Sequence, residues 1–134
     1  MFKGVLDTNI ITALFKGNAH CTRKFDQYLD TYGIVHLSVI VYYELYRGLL
    51  DLDNQRKLER FKEFVQNCTL LDVNQLIVNK ASELYVDLKR KGELIQDADI
   101  LIAATAIVND MGVVTDNIAH FSRIEELKID NWLK

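Results

Sequence analysis

Short apolar runs alternate with longer amphipathic stretches along this chain. Val5 and Leu6 follow Phe2 in a short apolar run that stops at Asp7, and residues 2–6 read as a buried strand. Ile10, Ile11, Ala13, Leu14 and Phe15 then precede Gly17, which predicts a short helix over 8–16. Phe25, Tyr28, Leu29 and Tyr32 recur at helical spacing over 19–32. Residues 34–37 predict a second strand, and Ser38 is a suitable N-cap for a helix over 39–50. Residues 54–66 predict a charged amphipathic helix with Leu58, Phe61, Phe64 and Val65 on one face. A third strand is expected over 69–73. A long helix over 74–91 is expected to turn Leu76, Ile77, Ala81, Leu84, Tyr85 and Leu88 inward. Another helix is predicted over 97–110, then short strands at 113–114 and 127–129.

Strands and helices that alternate in this way, with short β-branched strands, predict an α/β fold with a parallel sheet and helices on both faces. The functional crevice of such sheets lies at the carboxyl ends of the strands. At 134 residues, with 49% apolar and 26% charged residues, the chain reads as one globular domain over 1–134. No repeat or linker interrupts it. The six glycines are isolated, which excludes both the dinucleotide fingerprint and the phosphate loop. No apolar run approaches a membrane span, and Asp7 interrupts any signal-peptide core. The two cysteines, Cys21 and Cys68, share no ligand spacing and read as reduced thiols of a cytoplasmic protein.

Acidic residues recur where strands end. Asp7 directly follows the first strand, where it either caps the next helix or serves a site. Glu44 lies in a helix that is apolar nearly all round. Facing the core it would need a partner or a metal; otherwise it points to solvent or pairs with Arg47. Asp97 and Asp99 open a helix of small and aliphatic residues, one acid more than capping requires. Asp116 and Asn117 follow the strand at 113–114. Four segments thus bring an acid or amide to one predicted edge. Like charges gathered there repel unless a cation is present. Oxygen ligands without Cys or His select Mg²⁺ or Mn²⁺, ions that bind phosphates and activate water.

Rival chemistries find little support. His20, His36 and His120 lack any zinc spacing and read as surface or core polar groups, and no serine lies in GxSxG. Tyr42, Tyr43 and Tyr46 read first as a core stripe and second as a base-stacking platform.

Four motifs together carry a resemblance: Leu6-Asp7-Thr8-Asn9, Glu44-Leu45-Tyr46-Arg47-Gly48, Asp99-Ile100-Leu101-Ile102-Ala103-Ala104, and Val114-Thr115-Asp116-Asn117 with His120-Phe121. In this order and spacing they resemble the PIN domain, and more narrowly the VapC-type toxin ribonucleases of toxin–antitoxin pairs. The resemblance runs from residue 2 to Trp132. It implies a three-layer α/β/α sandwich around a mainly parallel sheet. Asp7, Glu44 and Asp99 match the acidic metal-site positions, and Asn117 matches the fourth. Thr8, Asn9 and Thr115 match polar positions that orient the acids or a water. Asp116 stands one residue off the pattern, as an outer ligand or a solvated group. Asp97 precedes the matched acid by two, as a cap or an indirect support.

The resemblance implies metal-dependent endonucleolytic cleavage of tRNA or another structured RNA. Asp7 and Asp99 would bind Mg²⁺, for which Mn²⁺ may substitute, and Glu44 would complete the site or deprotonate the attacking water. It also implies a homodimer, a cognate antitoxin that lays a peptide across the site, and operator DNA bound only through that antitoxin. Basic residues available to RNA phosphates are Arg47 above all, then Arg56, Lys57, Arg60, Lys62 and the run Lys89-Arg90-Lys91. Two alternatives remain: a non-catalytic PIN-like binding module, and a phosphotransfer domain using Asp7 as nucleophile. The latter lacks a second Asp, since Asn9 stands two residues on.

The net charge of -3 opposes a broad nucleic-acid-binding surface. Without Asp7, Glu44 and Asp99, however, the remaining acids match the 16 bases. The acidic excess equals the expected site, whose field a bound cation would reverse.

Overall fold

The first strand, β1 (Gly4–Leu6), is wholly buried, so its apolar residues serve both faces of a sheet. In the computed structural model, which describes residues 1–134, it is followed by α1 (Thr8–Phe15) and α2 (Ala19–Tyr32). The chain continues through β2 (Val35–Ser38), α3 (Val39–Leu52), α4 (Gln55–Gln66) and β3 (Cys68–Leu71). Next come α5 (Gln75–Arg90), α6 (Asp97–Val108), β4 (Gly112–Val114), α7 (Ile118–Phe121) and β5 (Ile129–Asp130). The five strands are all parallel in the order β3-β2-β1-β4-β5, and with the flanking helices they form the expected three-layer α/β/α sandwich.

This order determines where a site can form. The chain builds outward from β1 to β2 and β3, then returns to the other side of β1 with β4. The crevice at such a reversal opens outside the carboxyl ends of the two central strands. Here those ends are Leu6 and Val114, paired in register, and the next residues are Asp7 and Thr115.

Local signals explain most element starts. Ser38, Asn54 and Asn74 each accept a hydrogen bond from a backbone N–H of the helix they precede, at 3.0–3.1 Å. Gly33 ends α2 with φ +78°, a left-handed conformation suited to glycine. One core cluster includes Ile10, Ile11, Leu37, Ile102 and Trp132. Helix α6 is the most buried, with Ile102, Ala103, Ala104 and Ala106 inaccessible. Small side chains let it lie close against α5 and the sheet.

Several expectations need correction. On α5, Ile77, Ala81, Leu84 and Leu88 point inward, but Leu76 is 65% exposed and Tyr85 38% exposed. The inward stripe is narrower than the apolar pattern because α5 is covered on one side only. On α3, Val41 alone is fully buried, while Tyr43, Leu50 and Leu52 are exposed. Tyr42 and Tyr46 pack on Phe61 at 5.6 and 6.2 Å between ring centroids, but Tyr43 leaves that stripe and lies under the Arg47 guanidinium. Both cysteines are free, and burial pushes the Cys68 thiol up to about 11. No helix is long and apolar enough to cross a membrane.

Candidate active site

Asp7 leaves β1 and caps α1. Its Oδ1 accepts from the Thr8 backbone N–H at 2.8 Å, and its backbone carbonyl accepts from Ile10 and Ile11. Its Oδ2 accepts from the buried Thr115 hydroxyl at 2.7 Å and from Asn9 Nδ2 at 3.3 Å. The cap and the site position are therefore one residue. Thr115, just past β4, also accepts from the Asn117 backbone N–H at 2.9 Å. Asn9 Oδ1 in turn accepts from the Asp116 backbone N–H at 3.0 Å. The ends of β1 and β4 are thus tied by side chains as well as by the sheet.

The other acids approach from helices. Glu44, on the second turn of α3, accepts from Thr8 Oγ1 at 3.0 Å through Oε1. Asp99 sits in the first turn of α6, with Oδ2 3.1 Å from His120 Nδ1. The same Nδ1 lies 2.9 Å from Asn117 Nδ2. Asp7, Glu44, Asp99, Asn117 and His120 line one cleft of about 680 Å³, together with Lys16 and Gln96.

The electrostatics follow from this gathering. Burial pushes the Asp7 carboxyl above the usual range, and the Asp99 charge adds to the effect; the donors from Thr115, Thr8 and Asn9 oppose it. Burial likewise raises Glu44, with the charges of Asp7 and Asp99 adding to it, against the Thr8 hydrogen bond and the Arg47 charge. Acids gathered beside an open cleft are oxygen donors suited to a hard cation. Residues 4–127 match the PIN domain family. The chain belongs to the PIN-domain family.

Within it, the chain groups with VapC-type members. It is 31% identical to ribonuclease VapC1 of Methanocaldococcus jannaschii, over 92% of this chain and 82% of that protein. It is 27% identical to the tRNA(fMet)-specific endonuclease VapC of Salmonella typhimurium, over 98% of this chain and 99% of that protein. Among solved structures, the chain superposes on one from DNA-bound VapBC of Salmonella typhimurium with a TM-score of 0.86, at 28% identity. The match covers 98% of this chain and 99% of that one. VapBC2 of Rickettsia felis, bound to a fragment of its promoter, gives 0.85 at 28% identity, covering 96% and 97%.

Not every residue singled out in the sequence reaches the cleft of this PIN domain. Asp116 turns away, and its Oδ1 accepts from Asn131 Nδ2 at 2.9 Å. Asp97 is not the helix cap: Gln96 holds that position without a side-chain bond, and Asp97 lines a separate groove between α5 and α6. Arg47 is exposed and stacks on Tyr43, 4.8 Å from its ring centroid, outside the cleft lining. It does not pair with Glu44, whose partner is Thr8.

Five lining residues, Thr12, Ala13, Lys16, Gln96 and His120, are not among the site residues expected from the sequence. Lys16 follows α1 and reaches the cleft from the side of Thr12. Gln96 precedes α6. His120 was assigned to surface or core, yet it contacts Asp99. The only available signal was its position in the final motif, three residues after Asn117.

Proposed function

We propose that this PIN domain is an endoribonuclease, the toxin of a toxin–antitoxin pair, which hydrolyses a phosphodiester bond of tRNA or another structured RNA with Mg²⁺ or Mn²⁺. The observation that carries the reading is the convergence of Asp7, Glu44 and Asp99 at the β1/β4 reversal, where burial and mutual repulsion raise Asp7 and Glu44. Ribonuclease and tRNA endonuclease relatives over nearly the whole chain support the same activity.

The residues fit a divalent ion. No three His, Cys, Asp or Glu side chains form a ready metal cage. Mg²⁺ does not require one, because it keeps several waters and takes one or two carboxylates. Asp7 and Asp99 would hold it. When bound, the cation neutralises charge on the phosphate and lowers the pKa of a coordinated water. Thr8 orients Glu44 and Thr115 orients Asp7 by the hydrogen bonds described above. Glu44, whose carboxyl burial pushes above its ordinary value, is suited to take the proton of the attacking water. Lys16 is the cation in the cleft lining available to an RNA phosphate.

The same reading extends to partners. Beside the acids, Phe15, Leu45, Leu49 and Leu52 line an apolar groove of about 500 Å³ rimmed by Lys16, Lys57 and Arg60. It suits an antitoxin segment, whose own DNA-binding part would link the pair to operator DNA; the neighbouring structures are DNA-bound toxin–antitoxin complexes. A homodimer is the further assembly expected of the family, and the exposed apolar residues Val78, Tyr85 and Val86 on α5 support it. Phosphotransfer through Asp7 finds less support, since Asn9 stands where a second Asp would be expected.

The test is cleavage of total tRNA by the purified protein. Wild type is expected to give discrete internal ends with Mg²⁺ and none with EDTA. Asp7→Asn and Asp99→Asn are expected to lose at least a hundredfold in rate. Undiminished cleavage in either variant, or in EDTA, overturns the proposal.

A further inference from the structure

The contacts of His120 set one ring nitrogen against both an acid and an amide of the cleft. Its Nδ1 is 3.1 Å from a carboxylate oxygen of Asp99 and 2.9 Å from the Asn117 amide nitrogen. A protonated Nδ1 donates to Asp99 but then faces the amide N–H. An unprotonated Nδ1 accepts from the amide but then sets its lone pair against the carboxylate. With the amide in this orientation one nitrogen cannot satisfy both neighbours, and turning the Asn117 amide so that its oxygen accepts from Nδ1 is one resolution.

A divalent ion held by His120 and Asp99 would be another resolution, since it would draw the lone pairs of Nδ1 and Oδ2. The spacing suits this. Two adjacent ligands of an octahedral ion at roughly 2.1 Å stand about 3 Å apart, and Asp99 Oδ2 and His120 Nδ1 are 3.1 Å apart. Both residues line the cleft that contains Asp7.

We infer that His120 joins Asp99 as a nitrogen ligand to the divalent ion, so that the site prefers Mn²⁺ to Mg²⁺. The inference rests on the divalent-metal reading of the cleft. An imidazole favours first-row transition ions over Mg²⁺, which holds best to oxygen donors. The all-oxygen ligand set expected from the acidic motifs thereby becomes a mixed one, through a residue those motifs did not single out as a ligand.

The experiment titrates the metal-free full chain with Mn²⁺, without RNA. Free Mn²⁺ is followed by electron paramagnetic resonance, Mg²⁺ is the competitor, and electron spin-echo modulation detects nitrogen bound to the ion. Wild type is expected to bind Mn²⁺ at least about tenfold more tightly than Mg²⁺ and to show one coordinated imidazole nitrogen. His120→Gln, checked for native circular dichroism, is expected to lose the nitrogen signal and about tenfold or more in Mn²⁺ affinity. Its Mg²⁺ affinity is expected to change less than about threefold.

Mn²⁺ bound by wild type without a nitrogen signal overturns the inference while leaving the carboxylate metal site intact, and it needs no variant. Equal loss of Mn²⁺ and Mg²⁺ in His120→Gln overturns it too, since His120 then only positions Asp99. A nitrogen signal that survives in His120→Gln assigns the ligand elsewhere. No saturable Mn²⁺ binding by wild type defeats the metal reading itself.

Discussion

The hydroxyl of Thr115 donates a 2.7 Å hydrogen bond to Oδ2 of Asp7 across 108 positions of sequence, with both residues buried. Thr115 Oγ1 also accepts from the Asn117 backbone N–H, so one hydroxyl joins the acid after β1 to the amide after β4.

Thr115→Val removes that joint while nearly conserving shape. Asp7 loses its shortest donor and the Asn117 N–H loses its acceptor. Unsatisfied buried groups of this kind cost about 1–3 kcal/mol. Urea denaturation is expected to show that loss, and RNA cleavage is expected to fall about ten- to hundredfold. Thr115→Ser, which keeps the hydroxyl, is expected to stay near wild type on both measurements. Equal damage from Val and Ser would locate the effect in packing instead.

Acid groups raised by burial set the direction of pH dependence. Asp7 and Glu44 both titrate above their ordinary values in the folded chain. The folded state therefore binds protons more tightly than the unfolded one. Their contribution to stability falls as pH rises from the ordinary carboxylate range, about 4, through the raised folded values, and is flat above them. Urea midpoints in EDTA between pH 4 and 8 are expected to show this fall in wild type relative to Asp7→Asn. A difference that is constant across the range would contradict it.

Gly112 is tested by adding one carbon. A Cβ there would lie 2.6 Å from the Lys128 carbonyl oxygen and collide with the Phe2 ring. The carbonyl belongs to the backbone that pairs with Val113, so it cannot yield without loosening β5 from β4. Gly112→Ala is expected to lower stability by about 2 kcal/mol or more, readable as a drop in melting temperature. Gly48→Ala, with open space around it, serves as the tolerated control.

Asp97 and Asp116 are the acids to remove without consequence for cleavage. The first lines the α5–α6 groove and the second pairs with Asn131. Asp97→Asn and Asp116→Asn are expected to retain cleavage within about threefold of wild type. A hundredfold loss in either would bring that acid into the reaction after all.

The helices and the central strands were legible because their signals are local. Apolar spacing and the caps at Ser38, Asn54 and Asn74 act within a turn or two, and element ends shift by only a few residues. Asp7 could be read as both cap and site residue because the end of an apolar strand is itself a local event. Less legible were side chains whose role depends on a neighbour far along the chain. The apolar residues of α3 left open whether Glu44 faces the core or the solvent, and its partner Thr8 lies 36 positions away in sequence.

Chain order alone thus carried the α/β alternation, the placement of acids at strand ends and the motifs of the PIN domain. It did not separate Asp99, in the cleft, from Asp97, two residues earlier on the other side of the same helix start. Nor did it bring Lys16 or His120 to the acids. Those outcomes depend on the reversal of strand order at β1 and β4 and on the rotation of α6 about its axis. Both are set by packing among residues distant in sequence, for which periodicity and capping have no vocabulary.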